Sequence, residues 1–226
     1  VRCLVRDPAA ERRIRSRALA IGLSVVPFGL SFGAVSVEAH LSILQTCLLS
    51  LVLFSGASQF ALVSVIGSGG SIASALGTAL VLGLRNGLYA TRINALLRPR
   101  GWRKLAAAEL TVDETTAMAI AETDAGQSAR AFWLTAATVY ILWNVSTVVG
   151  AVAGAALGSP ASAGLDAAGP AAFTALLAPR LTTRPMRLVA LAAAIIALAT
   201  VPFVPVGAPI LIGGMAALSM LWRRDR

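Results

Sequence analysis

Charge-free runs dominate this chain. Residues 41 to 84, forty-four in succession, include no Asp, Glu, Lys, Arg or His; further such runs cover 131–165 and 188–222, and a shorter one covers 18–37. At about 1.5 Å of rise per residue, the longest run would extend roughly 66 Å as helix, two passages of a ~30 Å hydrocarbon core. Within the runs the apolar positions are continuous: every residue from 188 to 199 is apolar. A closed barrel calls for ~10-residue stretches alternating apolar and polar. The pattern therefore predicts helices, in which the backbone polar groups are satisfied within each segment.

The expected fold is all-α, a polytopic integral membrane protein of about 6–7 hydrophobic helices, some broken or re-entrant. The helices are predicted near residues 18–37, 41–66, 71–97, 130–157, 165–179, 187–204 and 207–222. Breakers fall inside several: Pro27, Gly29 and Gly33 in the first, Gly56 in the second, Gly83 and Gly87 in the third, and Pro170 in the short one. Short or interrupted helices can expose backbone groups at membrane depth. The glycine pairs Gly29-x-x-x-Gly33 and Gly83-x-x-x-Gly87 equally suit close helix packing. Trp102 to Gln127 is too sparsely apolar for a span and is expected as a surface helical connection on the cytoplasmic side. The whole chain, 1–226, reads as one membrane transporter domain, with a basic cytoplasmic tail over 1–17 and the polar connection over 98–129.

Charge refines the topology. The formal net charge is +9, from 19 Lys and Arg against 10 Asp and Glu, on a chain 57% hydrophobic with a mean hydropathy of +0.79. Such a basic balance suggests nucleic acid, but the cations bracket the hydrophobic runs, as the positive-inside rule requires, and no nucleic-acid partner is expected. Clusters lie at Arg2–Arg17, Arg98–Lys104, Arg180–Arg187 and Arg223–Arg226. Placing them all in the cytoplasm, with both termini, demands an even number of crossings between residues 18 and 97. Three hydrophobic segments lie there, so one is expected to be re-entrant or one cluster breaks the rule; the stretch around Gly56 is the suspected break. The run 18–37 follows arginines as a signal peptide does, but its length and the later spans make it a retained helix. Cys3 and Cys47 lie in a tail and a span, and no disulfide is expected.

The few polar residues inside apolar stretches are the candidates for chemistry. Arg85, with Asn86 beside it, interrupts an apolar stretch. A cation there marks a substrate pathway and suits carboxylate capture, or else it snorkels or pairs with Asp166. Ser55-Gly56-Ala57-Ser58-Gln59-Phe60 combines a helix-breaking glycine with two polar side chains, open to substrate binding or to interhelical hydrogen bonding. Thr111-Val112-Asp113-Glu114 fits a capping box with Thr111 as N-cap and Glu114 three residues on. Asp166 either caps a helix or is a protonatable carboxylate. One histidine, two separated cysteines and no Gly-x-x-x-x-Gly-Lys-Ser/Thr leave no basis for an enzyme, a metal site or a cofactor.

Five motifs in order carry a resemblance: Pro27-Phe28-Gly29-Leu30-Ser31-Phe32-Gly33, Phe54-Ser55-Gly56-Ala57-Ser58-Gln59-Phe60, Leu84-Arg85-Asn86, Leu110-Thr111-Val112-Asp113-Glu114-Thr115, and Gly164-Leu165-Asp166 ahead of Pro170. Over about residues 18–222 the chain resembles the AzlC family, the large subunit of bacterial branched-chain amino acid exporters. The resemblance implies an inner-membrane permease, a small AzlD-type hydrophobic partner subunit, and valine, leucine or isoleucine as substrate. Export driven by protons is the working expectation. Arg85, Asn86, Gly56, Ser58 and Gln59 would meet the polar end of the substrate, Phe28, Phe32 and Phe60 its side chain. Asp113, Glu114 and Asp166 would gate or carry protons. The family commonly has Asn-Leu-Arg-His where this chain has Gly83-Leu84-Arg85-Asn86, so a neutral amide replaces an imidazole. An exporter of another small solute, or a membrane assembly subunit without transport activity, are the alternatives.

Overall fold

In the computed structural model, residues 8–157, 174, 177–178, 181–204 and 208–224 are described. Among them there are nine α-helices and no strand: α1 (Pro8–Glu38), α2 (Ile43–Val52), α3 (Gly56–Gly67), α4 (Ile72–Leu97), α5 (Trp102–Glu109), α6 (Asp113–Ile120), α7 (Ala125–Leu157), α8 (Arg184–Thr200) and α9 (Ala208–Arg224). The all-α expectation holds. Only α1 and α7, however, are both long and apolar enough to cross a membrane. The predicted helix over 41–66 is two short pieces, α4 carries Arg85, Asn86 and Arg92, and α8 and α9 have 17 residues each. The predicted helix 165–179, with Asp166 and Pro170, falls almost entirely outside the described residues.

The frame of the bundle is α1 packed parallel to α7. At one end, ion pairs join Arg13 to Glu122 at 2.6 Å and Glu11 to Arg130; Ile14 packs with Met118 and Ala131. Farther along, Gly22 faces Thr138 and Leu142, Gly29 faces Ser146, and Gly33 faces Thr147 to Ala151, while Gly150 and Gly154 face Leu30 and Ala34. A Cβ on Gly33 or Gly150 would run into the opposing backbone carbonyl, so the absent side chains are what let the two helices approach. The Gly29/Gly33 pair thus serves packing; Gly87 faces open space. Helix α1 begins ten residues earlier than the apolar run because the basic tail is helical, tied down through Glu11, Arg13 and Arg15.

Two hairpins enter this frame from opposite ends. The first is α2–α3. Ser42 and Gln45 cap its start in a reciprocal capping box just after α1 ends. By residue 50 it has reached Thr147, and Phe54 packs edge-on against Tyr140. Helix α3 then returns: Phe60 meets Phe32, and Gly67 lies against Ala39, 3.0 Å from where a Cβ would sit to the Ala39 Cβ. Both ends of this hairpin therefore lie at the far end of α1. The second hairpin, α5–α6, starts after Arg98, which closes α4 in a left-handed conformation. Ala107 and Ala119 both pack with Ile93 and Phe132 near the amino-terminal end, so its legs lie there and its tip, 110–113, points inward. The connection over 102–127 is helical as expected, yet it is not a mere surface element: Ala107, Thr111, Val112, Thr115, Thr116, Met118 and Ala119 are buried.

The break between α2 and α3 is held by exchanged hydrogen bonds. In a continuous helix the Phe54 N–H would bond the Ser50 carbonyl. Instead it donates to Glu109 Oε1 at 3.1 Å, and Gln59 Nε2 reaches the carbonyls of Leu53 (2.6 Å) and Ser50 (3.4 Å). Gln59 Oε1 in turn accepts from Trp143 Nε1 at 3.0 Å. The Phe54 N–H and the Ser50 and Leu53 carbonyls, freed by the break, thus find partners.

Candidate functional site

Where the hairpin tips meet, between α1, α4 and α7, lies a cavity of about 400 Å³. Its apolar wall is Val25, Phe28, Phe54, Phe60, Val112, Val139, Trp143 and Leu177; its polar groups are Ser24, Ser55, Arg85, Asp113 and Glu114, with Gly56 and Ala57 at the start of α3. A space of this size falls at the small end of the range of about 300–1,000 Å³ found for small-molecule sites, and it has their mix of an apolar lining and a few convergent polar groups.

Arg85 Nη1 bonds Asp113 Oδ2 at 2.8 Å, joining α4 to the first turn of α6. Among the described residues, neither the buried Arg85 Nε–H nor the buried Asn86 Oδ1 has a hydrogen-bond partner. Helix α3 opens at the cavity, and its N-cap, Ser55, makes no side-chain capping bond; its hydroxyl goes to Ser58 Oγ at 3.1 Å. Helix α6 also opens there, with Asp113 and Glu114 in its first turn. Helix amino termini carry partial positive charge. The site therefore mixes charges: the α3 amino terminus and the Arg85 guanidinium share it with the two α6 carboxylates, and Asp113 sits directly on Arg85.

Of the residues singled out in the sequence, Phe28, Gly56, Phe60, Arg85, Asp113 and Glu114 line this cavity together. Four others do not. Phe32 is fully buried behind the wall, between the rings of Phe60 and Trp143. Ser58 donates to the Ala79 carbonyl at 2.9 Å, and Gln59 is spent on the helix break. Asn86, partly buried on α4, lies outside the lining. Asp166 falls outside the described residues; among those described, Arg85 pairs with Asp113. The expected capping box does not form: the N-cap is Val112, whose side chain cannot accept a bond, and only the reciprocal half is present, Val112 N–H donating to Thr115 Oγ1 at 2.9 Å, while Thr111 bonds back to Ala107.

Two residues carry no mark in the sequence: Trp143, in the cavity wall, and Glu109, outside the lining but bonded to the wall residue Phe54. Trp143 lies in a charge-free run like any core aromatic, although an indole N–H buried there signals a need for a partner. Glu109 sits at the end of α5, an eight-residue helix that spans nothing. Its carboxyl is raised above the usual carboxylate range by burial, and the Phe54 N–H draws it partly back. Among the described residues, no three His, Cys, Asp or Glu side chains gather where they could hold a metal ion.

An all-α bundle with two helices long and apolar enough to cross a membrane, around a small cavity of mixed polarity, is consistent with a membrane protein. Residues 20–157, more than half of the chain, match the family model described as AzlC protein, and the chain belongs to that family. Its members are transporters, not enzymes. Comparison with curated proteins and with solved structures yields no match.

Proposed function

We propose that this protein exports branched-chain amino acids across the bacterial inner membrane as a proton-coupled secondary transporter, working with a small AzlD-type subunit. The observation that carries this reading is the cavity with its buried, unpartnered Arg85 N–H. A zwitterion with an aliphatic side chain fits its chemistry at three points. The carboxylate goes to Arg85 and the α3 amino terminus, the ammonium to Asp113 and Glu114, and the side chain to Phe28, Phe60 and Trp143. Gln59, Ser58 and Phe32 support the site from behind.

The hairpins give this reading its topology. At about 1.5 Å per residue, α2 and α3 are roughly 15 and 18 Å long, each about half of a ~30 Å core. We read α2–α3 as re-entrant from the periplasmic side and α5–α6 as entering from the cytoplasmic side. Residues 18–97 then cross twice, through α1 and through α4, whose 26 residues have the length for a crossing although Arg85, Asn86 and Arg92 make it less apolar than α1 and α7. That keeps the N-terminal arginines and Arg98–Lys104 together in the cytoplasm as the charge rule asks. The cavity sits between two half-length hairpins, so movement of either tip would open it to one side.

The test is efflux of preloaded labelled isoleucine from cells lacking their own exporters, with this chain expressed alone and with its small partner. Efflux that collapses with an uncoupler supports the reading. No efflux in either case, with both proteins present in the membrane, refutes it.

A further inference from the structure

Besides the ion pair at the cavity, one carboxylate joins the two hairpins, and none of the site assignments above uses it. Glu109 ends the inbound leg of the α5–α6 hairpin, and its Oε1 accepts the N–H of Phe54, the residue at the tip of the α2–α3 hairpin. Phe54 lines the cavity, and its ring packs on Tyr140, whose hydroxyl donates to the Leu51 carbonyl at 3.1 Å. A change at Glu109 is thus felt directly at the cavity wall and along the end of α2.

Asp113, by contrast, is already engaged at 2.8 Å by the Arg85 guanidinium. The titratable groups on the elements around Glu109 are Tyr140 and Arg130 of α7, Asp113 and Glu114 of α6, and Arg85, Tyr89 and Arg92 of α4; Arg85 is engaged by Asp113 and Arg130 by Glu11. The first hairpin's tip, 53–56, has no acid or base of its own. Glu109 has no cation paired to it among the described residues, and what binds it is a backbone donor.

We propose that Glu109 is the proton-binding carboxylate of the transport cycle, and that its charge sets the contact between the two hairpin tips. This inference rests on the transporter reading above. Ionised, Glu109 accepts the Phe54 N–H as a charge-assisted bond and holds the tips together. When it takes up a proton the bond weakens to a neutral one, and the α2–α3 tip is freed to move.

The experiment uses the full chain in phospholipid vesicles with its small partner, and labelled leucine as the probe, in two modes: uptake driven by a pH gradient, and exchange of internal for external leucine without a gradient. The variants are Glu109→Gln, which cannot ionise yet keeps an acceptor oxygen, and Glu109→Asp. Loss of gradient-driven uptake by at least tenfold in Glu109→Gln, with exchange preserved and partial recovery in Glu109→Asp, is the expected result. A Glu109→Gln variant that responds to the gradient as the wild type does overturns the proposal. So does loss of both modes in both variants, which is the signature of a structural role. If the wild type moves no leucine, the substrate reading has failed, and infrared titration of the same vesicles decides. A carboxyl band titrating above the usual range that disappears in Glu109→Gln upholds the proton site, and its absence from the wild type overturns it.

Discussion

Replacing Gln59 by leucine separates a structural clamp from a substrate ligand. Gln59 is fully buried and bridges three groups: the carbonyls of Leu53 and Ser50, and the indole N–H of Trp143. Leu53 keeps a second donor, the Ser55 N–H at 2.8 Å, so the variant strands mainly the Ser50 carbonyl and Trp143 Nε1. Each stranded buried polar group costs about 1–3 kcal/mol, giving a loss of about 2–6 kcal/mol, with the lower half favoured because Ser50 is reached only at 3.4 Å. A loss of about 2 kcal/mol lowers the folded-to-unfolded ratio roughly 30-fold. The assay is unfolding of the purified protein in detergent, followed by a double-mutant cycle with Trp143→Phe, which removes the stranded N–H. The Gln59–Trp143 coupling should be about 1 kcal/mol or more. A Gln59→Leu variant within about 0.5 kcal/mol of wild type, or one with no coupling to Trp143, would refute the clamp and return Gln59 to the list of substrate ligands.

Other outcomes follow from the same geometry. Arg85→Gln removes a charge-assisted bond to the substrate carboxylate and should weaken isoleucine binding on the order of 10–100-fold, read by equilibrium binding; unchanged affinity would assign Arg85 to the Asp113 pair alone. Gly150→Val drives a side chain into the Leu30 carbonyl and should cost about 1–3 kcal/mol or more, whereas Gly87→Ala, with open space around it, should stabilise α4 by about 0.5–1 kcal/mol; detergent unfolding distinguishes them. Because burial raises the Glu109 carboxyl, the native protein keeps that proton to higher pH than the unfolded chain does. Stability should therefore fall as pH rises from the usual carboxylate range through the raised value, and Glu109→Gln should flatten that slope; an unchanged slope places the titration elsewhere.

Much of this architecture is written into the hydrophobic pattern. The runs that predict helices over 71–97 and 130–157 correspond to α4 and α7, and Gly56, the suspected break, opens α3. What the pattern lacked was direction. Nothing in a run of apolar residues says that α3 turns back toward Ala39 instead of continuing; the reversal is fixed by Gln59, Trp143 and Glu109, which lie up to 84 positions apart along the chain. The polar composition of 102–127 was misleading for a related reason. Thr111, Thr115 and Thr116 are hydrophilic by type, yet threonine hydroxyls such as those of Thr111 and Thr115 bond back to nearby carbonyls, which lets a polar-looking helix bury one face. At the site, Arg85 declared itself by being a cation in an apolar stretch. Glu109 did not, because an acid at the edge of a polar segment has no local mark; only the fold brings it to Phe54.

The claim at the centre of this account is that the cavity between the hairpin tips holds the substrate. Ala57 lines it, while Ser68 lies exposed in the connection from α3 to α4. With Cys3 and Cys47 replaced by serine, alkylation of Ala57→Cys and of Ser68→Cys by a small water-soluble maleimide can be timed with and without isoleucine. The account predicts that isoleucine slows labelling at position 57 and leaves position 68 unchanged. Equal labelling rates at position 57 under concentrations that support isoleucine efflux would contradict it and move the substrate elsewhere.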